Sequence, residues 1–233
     1  MDITLNEVCG VLHLATGITM VVAAIPGIFE NTGVVTLYIS KPSDFNSGLE
    51  YEEIWSPSVY ALLASFSLIT ALFHFIYYYK GSNDSLRFIE YSLSASIMAG
   101  IIGILVGIYS IYELLLIIGL TSSTMLFGFL EETTPENSPI HPFYYGFIPY
   151  IFMWTIVSWQ FIRSALVLNV PTFVWAIFFC EVVLFSSFAV VQWYYKVNNN
   201  DNGGKSSMWY DVLSLTSKMI LVWVSFFGLL GRT

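Results

Sequence analysis

The 233-residue chain is 56% hydrophobic and only 10% charged, whereas soluble domains carry roughly 25% charged residues, so its apolar runs cannot all be hidden in one water-facing globule. A formal net charge of −8 leaves no basic surface for nucleic-acid phosphates. The only cysteines, Cys9 and Cys180, have neither metal-ligand spacing nor the pairing of a disulfide framework, and both read as small buried hydrophobes.

Runs of about 20 apolar residues, the length that crosses a hydrocarbon core, recur along the chain. The expectation is an all-α membrane protein, a single domain over residues 1–233. The first span runs from Val8 to Phe29, and because "MDITLNEVCG" lacks the positive start of a cleavable signal peptide, it is expected to stay in the mature protein. The polar stretch "KPSDFNSGLEYEE" leads to a second span, Pro57 to Tyr79. Before it, "GVVTLYIS" is β-branched and aromatic and is bracketed by Gly33 and Pro42, which predicts a short strand or hairpin outside the bilayer.

"KGSNDS" makes a tight polar turn. Between Arg87 and Glu131 the only charged residues are Glu90 and Glu113. At 1.5 Å per residue that stretch would make a helix of about 66 Å, twice a hydrocarbon core, so two spans share it. They are Leu86–Tyr109 and Tyr112–Leu130, broken near "GIYSIYE". After the loop "EETTPENSPIHP" comes a fifth span, Phe143–Leu166, and after "NVPT" a sixth, Pro171–Tyr195, with Pro171 suited to a first helical turn. The loop "KVNNNDNGGKSS" precedes the seventh, Met208–Leu230.

Seven spans put the termini on opposite faces. Lys80, Arg87, Lys196 and Lys205 fall on the N-terminal side against Lys41, Arg163 and Arg232, which tips the N-terminus only slightly toward the cytoplasm.

Lys218 lies ten residues from Met208 and twelve from Leu230, near the bilayer midplane. A charged lysine there costs about 2.5 to 3.5 kcal/mol even on the lenient insertion scale. Two readings stand: a structural ion pair or neutral amine, or a desolvated nucleophile of the kind that forms a Schiff base with an aldehyde. Glu90, in the third span, is the candidate anion for it. Ser94 lies one turn after Glu90 and Ser214 one turn before Lys218, each able to tune its neighbour or simply to bond its own helix. Arg87 reads as an interfacial anchor.

His13 and His74 lie at similar depth in antiparallel spans, so they either hold and relay a proton or bridge the two helices. His141, in a loop beside prolines, reads as solvated. Glu181 is a second deep carboxylate, ten residues into the sixth span, open between proton transport and helix packing. The 18% aromatic content suits an interfacial girdle or the wall of a flat conjugated ligand. No hydrolase, nucleotide or metal motif appears, and no enzymatic activity is expected.

The segments "RFIEYSLSASIM", "ALFHF", "GVLHL", "LFGFLEE", "SFAVVQ" and "SLTSK" together resemble heliorhodopsins, over essentially all seven spans. The resemblance implies a seven-transmembrane-helix rhodopsin bundle of inverted orientation, with a cytoplasmic N-terminus, an extracellular C-terminus and a short extracellular β hairpin between helices 1 and 2. It also implies a homodimer in the lipid bilayer, most simply the plasma membrane, with a signalling partner not named by the sequence. All-trans retinal would be joined to Lys218 as a Schiff base with Glu90 as counterion, Ser94 and Ser214 beside the pair, and His13 with His74 in a cytoplasmic-side polar cavity that can receive a proton. Met98, Met125, Tyr150, Phe185, Phe188, Gln192 and Trp223 would line or flank the retinal.

Most other microbial rhodopsins carry an aspartate where this chain has Ser214, which leaves Glu90 as the main anion; Glu181 stands where heliorhodopsins are apolar. The expectation is a light-activated retinal photoreceptor with a light-gated proton conductance running from Glu181 past Lys218 to Glu90 and the histidines. The alternatives are a light sensor without ion transport and, less favoured, a cofactor-free secondary transporter.

Overall fold

The computed structural model describes residues 5–29, 33–42, 48, 50–81, 84–135, 138–198 and 205–231. Among them are seven stretches long and apolar enough to cross a membrane. In chain order the elements are α1 (Leu5–Ala23), β1 (Leu37–Ser40), β2 (Tyr51–Trp55), α2 (Val59–Lys80), α3 (Asp84–Val106), α4 (Ile111–Thr133), α5 (Pro142–Tyr145), α6 (Phe147–Val167), α7 (Thr172–Gln192) and α8 (Lys205–Leu230). The fifth span is α5 and α6 together. Parts of the turn "KGSNDS" and of the loops "EETTPENSPIHP" and "KVNNNDNGGKSS", and Arg232, lie outside the described residues.

The spans match expectation and their ends differ for local reasons. α1 stops at Ala23, short of Phe29, because Pro26 disfavours helix at the residue before it and Gly27 takes a positive φ of 87°. The third and fourth spans part where expected: Gly107, at φ 104°, turns the chain between α3 and α4. A Cβ on Gly107 would come within 3.1 Å of Ser164 Oγ, so the turn also lets α6 approach closely. The fifth span is interrupted at Gly146 because Pro149 has no N–H to return to the carbonyl four residues back, that of Tyr145. α7 winds into a π-helical turn over Trp193–Val197. α8 begins at Lys205, earlier than Met208.

The expected hairpin between the first two spans is present, and "GVVTLYIS" supplies one of its two strands. Only Leu37–Ser40 of "GVVTLYIS" forms a strand, and its antiparallel partner is Tyr51–Trp55, drawn from the stretch read as polar link. Every residue of β2 is exposed, so its glutamates remain hydrated while its backbone pairs. The hairpin is fastened to the bundle by Tyr38 N–H donating to Tyr109 O at 2.9 Å and by the buried side chain of Leu37.

α3 is the most enclosed span. α1 approaches α2 closely because Gly10 and Gly17, one face of α1, remove side chains at the contact: a Cβ on Gly17 would lie 2.6 Å from Leu68 Cδ2, and one on Gly10 3.3 Å from His74 Cβ. Of the two cysteines, Cys9 is fully buried, but Cys180 is exposed on the outer surface of α7. A thiol is apolar enough for either environment, which is why its surroundings could not be read from an all-apolar run.

Candidate functional site

Lys218, thirteen residues into α8, is 2% exposed, and its Nζ donates to Glu90 Oε1 on α3 at 2.6 Å. The same carboxylate oxygen accepts Thr70 Oγ1 from α2 and Ser94 Oγ from α3, each at 2.8 Å. Three donors on one buried oxygen spread its charge without water, as an ion pair in an apolar interior requires. The amine also lies 5.3 Å from the centroid of the Tyr91 ring. Ser214 borders the space around Lys218, but its Oγ has no hydrogen-bond partner among the described residues.

From Lys218 a narrow cavity runs past Tyr91, Ala95, Met98 and Met125 to Phe185 and Phe188. Met125, Phe185 and Phe188 also line a second cavity, which continues to Phe147, Tyr150 and Gln192. Tyr150 is held by a 2.7 Å hydrogen bond with Ser186, and Gln192 Nε2 donates to Gly128 O at 2.9 Å. Together they make an elongated, aromatic-walled slot with a primary amine at one end. Of the expected lining residues, Trp223 is not among those bordering either cavity: it lies five residues beyond Lys218 and packs on Phe226 and Phe227.

Toward the N-terminal face the polar groups continue. His13 and His74 stack with ring centroids 5.7 Å apart at 10°, an approach that Gly10 permits. His74 Nδ1 lies 3.0 Å from Asn6 Oδ1, whereas both ring nitrogens of His13 lack partners among the described residues. Arg87 is not an interfacial anchor. It is 1% exposed, pairs with Asp211 Oδ1 of α8 at 3.1 Å, donates to Ser207 Oγ at 3.0 Å and lies against the Tyr77 and Tyr210 rings. The aspartate draws it inward, because a buried guanidinium needs an anion more than it needs the interface. Nor is His141 a solvated loop residue: its Nδ1 lies 2.9 Å from Glu131 Oε1, and Glu131 Oε2 accepts Phe143 N–H at 3.1 Å at the start of α5.

Asp211, Thr70, Tyr91 and Glu131 were not singled out in the sequence, although three had signals. Asp211 lies two turns before Lys218 and Thr70 one turn before His74, each on an already inward face, and Tyr91 adjoins Glu90. Glu181 of α7 is 0% exposed, and neither carboxyl oxygen has a hydrogen-bond partner among the described residues. No hydrogen bond joins it to the Lys218–Glu90 cluster among those residues, and it does not border the cavity at Lys218. No group of metal ligands is present among the described residues.

None of the curated proteins compared with the chain matches it. A family model described as heliorhodopsin matches residues 3–230. That match takes in every one of the seven membrane-length helices, and it agrees with a buried amine, a paired carboxylate and an aromatic slot, the chemistry a retinal pocket requires. The chain is a multi-pass membrane protein and belongs to the heliorhodopsin family of rhodopsin-type, light-sensing proteins, whose chromophore is retinal.

Proposed function

We propose that this protein is a single-domain photoreceptor in which Lys218 carries all-trans retinal and Glu90 neutralises the attachment nitrogen, and that light opens a proton conductance through the bundle. The observation that carries the chromophore assignment is the 2.6 Å Lys218–Glu90 contact at the closed end of an aromatic slot. Retinal supplies light absorption and a change of shape on isomerisation. The chain's own residues do the rest.

Glu90 Oε1 holds the proton on Lys218 Nζ in the dark, and Thr70 and Ser94 steady the carboxylate that does so. Weakening that contact lets the proton cross to Glu90, after which both groups are neutral and the buried charge pair is gone. The stacked pair of His13 and His74, on the N-terminal side of Lys218, provides ring nitrogens that can take the proton onward. Met98, Met125, Phe185 and Phe188 would border the bound chromophore and exclude water from it, while Tyr150 and Gln192 border the far end of the slot. Ser214, lacking a carboxylate, leaves Glu90 to act alone.

Conduction rests on Glu181, a deep acid whose carboxyl has no hydrogen-bond partner among the described residues. A sensor without transport is the second reading, favoured by the lack of a hydrogen-bonded route from Glu181 to Glu90 among the described residues. In either case the N-terminus is cytoplasmic and the hairpin and C-terminus extracellular, in the plasma membrane, as a homodimer that signals to a partner. No enzymatic step belongs to this reading.

Two measurements test it. Visible absorbance on adding all-trans retinal, abolished by Lys218→Ala, is expected; a colourless protein would leave a cofactor-free transporter using Lys218 and the carboxylates. Light-dependent current in voltage-clamped cells, lost in Glu181→Gln with absorbance retained, is expected for conduction. No current at any voltage leaves the sensor.

A further inference from the structure

At the hairpin end of the bundle lies a cavity of about 260 Å³, bordered by Val34, Gly107, Ser164, Asn169, Val174 and Leu229. Its wall is partly polar: Ser164 Oγ donates to Val106 O at 2.8 Å and Gln160 Nε2 to Gly107 O at 3.2 Å, holding the end of α3 against α6. The volume is several times that of one water, and exposed backbone and amide groups give water partners there.

Val174, Phe178, Glu181 and Phe185 follow at positions i, i+4, i+7 and i+11 of α7, which puts them on one helical face, and all four are buried. Val174 borders the hairpin-side cavity and Phe185 the slot at Lys218. Glu181 therefore stands between the two. Helical side chains lean toward the helix N-terminus, which for α7 is the hairpin side, so the carboxyl is directed toward the cavity. What separates them is a packed apolar layer. Ile177 is 1% exposed, and Phe178 is stacked on Phe161 with centroids 4.1 Å apart.

We propose that this cavity is the aqueous mouth through which Glu181 exchanges protons with the C-terminal face, and that Ile177 and Phe178 form the plug that closes it in the dark. The inference rests on the proton-conducting reading of Glu181 and adds its port and its gate. The exchange is balanced by water: the Glu181 carboxyl gives a proton to a water in the mouth, leaving carboxylate and hydronium, and recovers it by the reverse step. A mechanical link to the chromophore slot exists. The Trp154 ring packs edgewise on Phe185 at 5.8 Å and on Phe178 at 6.1 Å, so a displacement of Phe185 is passed to the plug through contacts already made.

The test uses the full chain in retinal-supplemented cells, with Cys9→Ser and Cys180→Ser removing native thiols and visible absorbance confirming that each variant binds retinal. A charged, membrane-impermeant thiol reagent is applied to the C-terminal face. N169C is expected to react in the dark, and I177C to react at least tenfold faster under illumination than in darkness. An unreactive N169C, or equal rates for I177C in light and dark, overturns the proposal. Phe178→Ala, with Phe178→Leu as the milder variant, is expected to let I177C react in the dark nearly as fast as in the light, and an unchanged dark rate overturns the plug; light-dependent current that survives Glu181→Gln overturns the assignment of the port to Glu181. The two readings fail separately. Light-dependent I177C labelling without current at any voltage sinks the conductance and keeps the plug, whereas Glu181-dependent current with light-independent labelling sinks the plug alone.

Discussion

Asp211 lies two turns before Lys218 on the inward face of α8, so that this one helix offers an acid to Arg87 and an amine to Glu90, both on α3. The two ion pairs are crossed in sign and stacked in depth. Parallel helices carrying such a pattern have one register in which both pairs close, because sliding either helix brings like charges together.

Breaking one pair is therefore costly. Asp211→Asn or Arg87→Gln alone is expected to destabilise the pigment by about 3 to 5 kcal/mol, since each removes the opposite charge that lies 3.1 Å from its partner in a buried site. The double variant should lose less than the sum of the two. Thermal bleaching of the retinal absorbance measures this, and strict additivity would show that the pair does not act as a unit.

Glu90→Gln is expected to shift the visible absorption maximum strongly and to move the midpoint of the pigment's spectral pH titration. Thr70→Ala and Ser94→Ala should each produce a smaller spectral shift of the opposite sign, because each removes a donor that spreads the charge of the one oxygen that faces Lys218, whereas Glu90→Gln removes that charge. An unchanged spectrum and titration in Glu90→Gln would remove it as counterion.

Replacing His13 and His74 together by alanine should alter the decay of the light-induced intermediates in which the proton has left Lys218 Nζ. Flash photolysis with a pH-indicating dye reads this directly. Unaltered kinetics would assign the stacked rings to helix packing alone.

Glu131 ties His141 and the Phe143 amide to the end of α4. Hydrogen bonds to a charged group contribute about 1.5 to 3 kcal/mol. Glu131→Ala is thus expected to speed amide hydrogen exchange over Phe143–Tyr145 by roughly 10- to 100-fold, at about 1.4 kcal/mol per tenfold. Exchange as slow as in the native chain would show that α5 is held by its aromatic contacts instead.

Much of this arrangement was legible because hydrocarbon leaves a chain few choices. Lys218 and Glu90 stood out as charges in apolar runs, and two helices entering from one face brought them together. His13 and His74 were matched by depth alone. Asp211 falls near the polar start of α8, where an acid resembles an ordinary interfacial residue, and only the buried position of Arg87 against it sets it apart. β2 was hidden for the opposite reason: its exposed glutamates made a paired strand look like linker. Trp223, expected to line or flank the retinal, packs on Phe226 and Phe227 of its own helix.

The uneven placement of polar groups has an electrical meaning. From Asn6 and His74 inward to Glu90, the N-terminal half of the bundle holds a succession of polar and charged groups, and the hairpin end is hollowed by its cavity. The weakly polarisable part of the barrier is thereby thinned to the layer between Ile177 and Phe185. Most of a transmembrane voltage would fall across those few turns, so a proton passing Glu181 senses nearly the whole field, up to about 2.3 kcal/mol per 100 mV.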